Sequence, residues 1–462
     1  MNRREIIGTA LAALGVAGAG RTTKGAGEAA GWLDRWLAAF NAPDARTYEA
    51  FIRANAPSLV PYLDEDLGLR DASGGFQRIS SKAAGDHGIE AVVRDRDWDR
   101  FSRVVLTATS DQLIDDLSFS GAPAPDGFAI ARGPEGEILD QLRVRLGRLA
   151  EAGRWSGAVL VARNGQPVMS EAFGLADPAP GVPATVSTRY CIGSMGKMFT
   201  AVAIMQLVEA GRVRLADPVG AHIPDYPDRT IADRVTLQHL LTHTGGTGDI
   251  FGPEYDARAD ALRTPSDFIA LYGARPPVFE AGSRWGYSNY GFVLLGAIIE
   301  AAAGQAYPDY LQRRVFEPAG MTVTSMSFDD HASTARPLVG CADIGLKALP
   351  PWRGLPAGGG YSTVEDLHAF ASALGDGRLI QPATLQRMTT PQVSAGTSDW
   401  GLGVALRRRN GAPYHGHGGA APGVNADLAI YPASGYVTVV LSNRGHPHAT
   451  NVADFLGGRL PA

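Results

Sequence analysis

Strand-forming runs stand at both ends of the C-terminal two thirds of this chain, and that placement restricts the fold more than any single motif. Residues 157–162 and 166–173 read as two strands joined through Asn164-Gly165, a pair that tolerates positive φ and so closes a tight hairpin. Strand character returns only near the other end, over 401–409, 427–431 and 436–442, and a helical run at 452–456 closes the chain. Helical segments fill the middle. One antiparallel sheet must therefore draw on both ends, with terminal helices over it and a helical lobe inserted beside it. The leading helix begins near Glu137 and turns Leu139, Leu142, Leu146 and Leu149 to one face.

At 462 residues the chain exceeds one average domain, and 45% hydrophobic against 19% charged residues is enough to build substantial cores. Upstream, Trp32, Trp36, Leu37 and Phe40 share a helix face, and Tyr48, Phe51 and Ile52 mark a second helix. Residues 89–94, 101–107 and 113–119 follow as strands. Helices on an antiparallel sheet make a small α+β accessory domain whose pattern resembles the cone-shaped domains similar to nuclear transport factor 2. Its aromatic residues suit a core, and substrate reach, docking or dimerisation are the roles open to it. The expected divisions are an export signal and linker over 1–30, the accessory domain over 31–122, a linker with the leading helix over 123–152, and a catalytic domain over 153–462.

The N-terminus begins with Arg3-Arg4 and continues into an apolar run from 6 to 20, in which Ala17-Gly18-Ala19 offers small residues for cleavage. This reads as a bacterial export signal, of twin-arginine or ordinary secretory type, leading to the periplasm or the exterior. The run is short and glycine-containing for a retained anchor, so no stable membrane span is expected after cleavage. A net charge of -5 gives no general attraction for nucleic acid. No zinc-finger spacing, dinucleotide fingerprint or phosphate loop appears either. Cys191 and Cys341 permit a disulfide in an exported protein, but two cysteines impose no framework and the sequence leaves their pairing open.

Three short segments carry chemistry. Ser194-Met195-Gly196-Lys197 places a hydroxyl and an amine three residues apart at the mouth of a helix whose residues Met198, Ala201, Val202, Met205 and Val208 recur at helical spacing before Gly211. Ser194 is a candidate nucleophile with Lys197 as its base, and the positive helix end favours the oxyanion formed when it attacks a carbonyl. A helix cap followed by an exposed lysine would give the same four letters. In Tyr287-Ser288-Asn289, ahead of an apolar helix, a phenol can relay a proton and an amide can bind substrate or hold Lys197; a packed tyrosine with a capping asparagine is the plainer alternative. In His415-Gly416-His417-Gly418-Gly419-Ala420, close glycines let a strand edge approach a ligand, and His417 can donate to a carboxylate and, if protonated, add charge. The two histidines lack a third ligand at metal-site spacing, so no metal is expected. His415 is read as structural or as a solvated neighbour of the site.

In order and setting, these three segments resemble the motifs of the penicillin-recognising serine hydrolases, of which Ser-x-x-Lys is one signature. The chain looks most like the broad branch of class C β-lactamases, D-alanyl-D-alanine carboxypeptidases, D-aminopeptidases and related esterases, over about residues 153 to 460. Leu240-Leu241-Thr242-His243-Thr244-Gly245-Gly246 and Ala357-Gly358-Gly359-Gly360-Tyr361-Ser362 add to the likeness. It implies a β-lactamase/transpeptidase-like fold, with Ser194 as acylated nucleophile and Lys197 as its proton acceptor or electrostatic partner. Tyr287 would be the general acid/base. Asn289, His417 and Gly419 would bind substrate, and the N–H groups of Ser194 and Ala420 would form the oxyanion hole. Lys197 and Tyr287 would titrate together, and neither metal nor organic cofactor is required.

His417 stands where class C β-lactamases carry the lysine of a Lys-Thr-Gly motif, which weakens the case for β-lactam hydrolysis as the physiological task. The leading expectation is a serine hydrolase of a small ester or amide, including D-amino-acid peptides. A β-lactamase or cell-wall carboxypeptidase uses the same machinery, and a β-lactam-binding sensor or scaffold with little turnover is the non-enzymatic alternative. The oligomeric state is left open. Two further expectations concern local structure: Thr236 caps a helix over 237–241 with His243 structural beyond it, and Ser362 with Glu365 forms a capping box for the helix containing Leu367 and Phe370.

Overall fold

The computed structural model describes residues 24–108, 113–327, 335, 354–396 and 398–462. The export-signal run and Cys341 lie outside them. The chain divides into two compact units, Met1–Ala131 and Arg132–Ala462.

In the first unit, α1 (Lys24–Phe40), α2 (Ala45–Asn55) and α3 (Leu63–Ser73) precede a four-stranded antiparallel meander of β1 (Phe76–Ala83), β2 (Gly88–Asp95), β3 (Phe101–Ala108) and β4 (Ile114–Ala122). The α1 face predicted from its aromatics is the buried one: Trp32, Trp36, Leu37 and Phe40 pack with Tyr48, Ile52, Val93 and Val104. Strand β1 escaped the sequence reading because only Phe76 along it is buried, and its register shifts between Arg78 and Ser80. Polar composition and a bulge are how an edge strand avoids pairing further.

In the second unit, α4 (Glu135–Glu151) buries Leu139, Leu142, Leu146 and Leu149, as its period requires. The hairpin of β5 (Gly157–Arg163) and β6 (Gln166–Phe173) turns at Asn164 and Gly165, with φ of 50° and 78°. The remaining strands come from the far end: β7 (Val393–Ser394), β8 (Asp399–Trp400), β9 (Ala405–Arg409), β10 (Ala412–Ala421), β11 (Val424–Tyr431) and β12 (Tyr436–Ser442). They form one antiparallel sheet in the order β7-β8-β9-β10-β11-β12-β5-β6, so β12 pairs with β5 and the two chain ends meet in mid-sheet. The expected strand at 401–409 starts only at Ala405. Gly401 and Gly403 form a bend pressed so closely on Met388 and Ala201 that a Cβ would stand 2.1 Å from the Met388 carbonyl oxygen and 2.4 Å from the Ala201 Cβ.

One face of the sheet packs under α4 and the closing helix α9 (His448–Arg459). The other presents Ala158, Leu160, Ala426, Leu428, Val439 and Leu441 to the helical lobe in one continuous core. The lobe contains α5 (Lys197–Glu209), α6 (Leu237–Leu241), α7 (Asn289–Ala303) and α8 (Val364–Gly375). Helix α5 is buried on every side from Lys197 to Met205, so the apolar spacing read as one face of a helix belongs to a helix with no solvent face in that stretch. Thr236 caps α6 as expected, through His239 N. The α8 cap is Thr363, whose hydroxyl accepts from Asp366 N, while Ser362 Oγ is engaged with Thr324; the expected Ser362–Glu365 box lies one residue out of phase. Among the described residues no single helix is long and apolar enough to cross a membrane.

Behind β10, the buried Arg409 guanidinium makes two hydrogen bonds to Asp427, at 2.7 and 3.2 Å, and one to Asp454 at 2.8 Å. It also lies 4.4 Å from the Tyr414 ring centroid. Removing Asp427 takes two hydrogen bonds and the more buried of these two counter-charges from a guanidinium in a low-dielectric setting, while the partly exposed Asp454 remains. Asp427→Ala is therefore expected to lower stability by about 3 kcal/mol, read as a lower urea midpoint at unchanged slope.

Candidate active site

Ser194 does not lie on the helix itself. It sits in a 3-10 turn, Gly193–Gly196, that runs directly into α5. The turn is pinned on both flanks. A short pairing of Tyr190–Cys191 with Tyr361–Ser362 fixes the chain entering it, and the Gly193 carbonyl accepts from Gly359 N at 3.0 Å. Gly193 has φ of 52°, and Gly358, Gly359 and Gly360 all have positive φ, so the glycine run forms the tight wall expected beside the cleft. A Cβ on Gly358 would stand 2.6 Å from the Gly193 carbonyl oxygen.

Lys197 is fully buried. Its Nζ donates to Ser194 Oγ at 3.2 Å, to Asn289 Oδ1 at 2.7 Å and to the Ala357 carbonyl. Burial pulls the amine from its ordinary value down to about 7, opposed by the negative charge of Asp249. Asp249 was not among the residues singled out from the sequence. Its carboxylate oxygens lie 3.0 and 3.2 Å from Asn289 Nδ2, which donates to them, so the amide bridges Lys197 and Asp249, the lysine-holding role expected for it beside substrate binding. The only sequence signal for Asp249 is its place just after the turn-forming Gly246-Thr247-Gly248.

Helix α7 begins at Asn289, but its cap is Ser288, whose hydroxyl accepts from Gly291 N at 2.9 Å. That frees the Asn289 side chain to face Lys197. The Tyr287 ring stands beside the same amine, its centroid 4.8 Å from Nζ. A buried ammonium against a π face gains electrostatic support.

Strand β10 supplies the opposite wall. A Cβ on Gly419 would stand 2.0 Å from the Ile192 carbonyl oxygen, so no other residue permits this approach without movement. The ladder also orients Ala420. Arg409 pairs with Ala412 and Ala421 with Val424 across two-residue turns, and alternation from either turn points the Ala420 N–H away from β11, toward the side that β9 no longer covers. A Cβ on Gly193 would meet that nitrogen at 3.1 Å, which brings the Ala420 N–H to the serine turn.

His417 is buried and differs from expectation. Its Nδ1 lies 2.5 Å from the Gly418 carbonyl oxygen, which can only accept, so Nδ1 carries a proton. Burial, then the Lys197 charge, push its pKa to about 3. The ring is neutral at physiological pH and cannot supply the positive charge considered for it. His415 is likewise buried and pushed down to about 4, not solvated. Cys191 is buried with its thiol pushed up to about 12, which removes it as a competing nucleophile. Among the described residues no group of three or more histidine, cysteine or carboxylate side chains could hold a metal ion.

Residues 143–460 match the family model described as Beta-lactamase. The chain belongs to this family. Penicillin-binding protein 4 of Amycolatopsis lactamdurans is 31% identical over 298 residues, which are 59% of this chain and 77% of that protein. Among solved structures, a penicillin binding protein from Bacillus halodurans is 32% identical with a TM-score of 0.59, covering 67% of this chain and 97% of that one. A D-stereospecific amidohydrolase from Streptomyces sp. is 27% identical with a TM-score of 0.56, covering 70% and 98%. The second unit is thus a β-lactamase/transpeptidase-like serine hydrolase fold, and the protein is an enzyme of the class that acts on small esters, amides or peptides. Gly419→Ala must push β10 off the serine turn. It is expected to lower hydrolytic turnover about 100-fold, the scale of an ångström's misplacement, with the fold retained by circular dichroism.

Proposed function

We propose that this enzyme hydrolyses a small ester or amide, with D-amino-acid amides or peptides as the substrate class, through an acyl-enzyme on Ser194. The carrying observation is the buried Lys197, whose amine reaches Ser194 Oγ at 3.2 Å and whose pKa falls to about 7. A neutral amine at working pH accepts the serine proton as Oγ attacks the carbonyl. The N–H groups of Ser194 and Ala420 stabilise the resulting oxyanion. The Tyr287 phenol protonates the departing amine or alkoxide, and in the second half it activates the water that releases the acyl group. Asn289 holds Lys197 by its carbonyl end, and His417 with Gly419 lines the substrate.

His417 bears on the choice among substrates. Where a lysine would offer a cation, the buried His417 ring, held neutral by burial, gives a carboxylate none. β-Lactams and peptides ending in D-Ala-D-Ala both carry a carboxylate, so the β-lactamase and carboxypeptidase readings rank below amide or ester hydrolysis. The Streptomyces amidohydrolase, D-stereospecific by its own description, supports the same class. Arg3-Arg4 and the apolar run behind them support export by a twin-arginine or ordinary secretory route.

The test is intact-protein mass spectrometry after exposure to p-nitrophenyl esters, D-amino-acid amides, β-lactams and D-Ala-D-Ala peptides. A transient adduct on Ser194 with esters or D-amino-acid amides, followed by continued product release, is expected. Turnover surviving in Ser194→Ala would sink the mechanism. The pH dependence follows from Lys197. The amine is the active form, so kcat/KM rises with pH through about 7 and then levels, whereas an ordinary lysine would leave it rising toward 10.5. Asp249 favours the ammonium; Asp249→Asn removes that support, lowers the Lys197 pKa and moves the acid limb to lower pH. A limb that stays put or moves up would remove Asp249 from this role.

A further inference from the structure

His243 belongs to the helical lobe's connecting segment and has no part in the mechanism above, yet it is built around Tyr287. Its backbone oxygen accepts from Gly286 N at 2.8 Å and its ring Nδ1 accepts from Ser288 N at 3.1 Å. Those are the residues on either side of Tyr287. Between the two clamps the imidazole lies against the tyrosine ring, with centroids 4.4 Å apart and planes 32° from parallel. Phe292, Trp400 and Trp285 close round the imidazole at 5.1, 4.8 and 6.1 Å. The residue is 1% exposed, and its φ of 56° lies in the left-handed region, which few non-glycine residues occupy.

We propose that His243 is a positioning residue that fixes the direction of the Tyr287 phenol, a role that rests on reading Tyr287 as the general acid. A tyrosine on a loop whose backbone can shift moves its hydroxyl with it, and an ångström is enough to spoil proton transfer to a leaving group. Clamping both flanking N–H groups and stacking one face leaves the ring a single attitude. Histidine meets three demands at one position. It tolerates left-handed backbone, as asparagine does; it offers an acceptor at the δ position, as asparagine also does; and it presents a flat ring, as phenylalanine does. The Ser288 N–H can bond only to an unprotonated Nδ1, so the ring is neutral with its proton on Nε2. Burial, and the charge of Lys197 after it, act in the same direction.

The experiment compares His243→Phe, which keeps a ring and loses the acceptor, with His243→Asn, which keeps the acceptor and loses the ring. Each is also placed in a Tyr287→Phe background, all in the full chain. The probes are ethyl butyrate and p-nitrophenyl butyrate, which share an acyl group and differ in how far the leaving alkoxide needs a proton. Because kcat/KM reports acylation, the shared deacylation step drops out.

His243→Phe is expected to lower kcat/KM about 100-fold on the ethyl ester and less than about tenfold on the p-nitrophenyl ester. His243→Asn should recover part of the ethyl-ester loss. In the Tyr287→Phe background neither substitution should cost more than about twofold, since residues acting as one unit are not additive. Equal losses on the two esters, or losses that add in the double variants, in protein of unchanged circular dichroism, would overturn the proposal and leave His243 a packing residue. If Tyr287→Phe alone leaves ethyl-ester turnover intact, the general-acid reading falls and the positioning role falls with it. If Tyr287→Phe is crippled while both His243 variants are not, only the positioning role falls.

Discussion

A lysine amine sealed in an apolar lobe is the constraint around which the second unit is arranged. Helix α5 has no solvent face over its first turns, so Lys197 cannot extend to water, and every hydrogen bond it makes must come from protein. Three partners supply them, and they arrive from widely separated segments: Ser194 from the turn before, Asn289 from the start of α7 and Ala357 from the glycine run. The glycines at 358–360 matter because they bring the Ala357 carbonyl within reach while passing the serine turn at backbone distance. Sheet and lobe are thus tied together at the point where chemistry is placed. A polar group left unmatched there would cost about 1–3 kcal/mol, and a charge more.

Fold class was legible from the placement of strands at both ends of the segment, because period and turn chemistry are local properties. The Asn164-Gly165 hairpin, the α4 face and the Thr236 cap each follow from a few adjacent residues. Failures came where tertiary packing overrides local pattern. Gly401 and Gly403 sit in an apolar run that reads as strand, yet their lack of a Cβ is used for close approach to Met388 and Ala201. Ser362 and Thr363 are equivalent caps on paper, and only the engagement of Ser362 with Thr324 decides between them. Strand β1 is polar because it is an edge, and an edge is visible only once the sheet exists.

The site shows the same division. Ser194, Lys197, Tyr287, Asn289, His417, Gly419 and Ala420 were all named from short motifs, and the fold brings these motifs together from three distant stretches. Asp249 was missed because an acidic residue after a glycine-rich turn has many ordinary explanations; its meaning lies in a partner forty residues away. With that partner visible, Asn289 is seen to join the Lys197 amine to a carboxylate, the lysine-holding alternative its motif offered.

Lys197 also governs the histidines near it. Burial disfavours a positive charge on either ring, and Lys197 when protonated adds to that, so His243 and His417 are both held neutral for the same two reasons. They nevertheless take opposite tautomers. His243 accepts at Nδ1 from a backbone N–H, whereas His417 donates from Nδ1 to a backbone carbonyl. In each case the role of Nδ1 is dictated by a backbone group whose polarity cannot change. A histidine at this strand position is therefore different in kind from a lysine: burial holds its ring neutral, and its Nδ1 proton is committed to the Gly418 carbonyl.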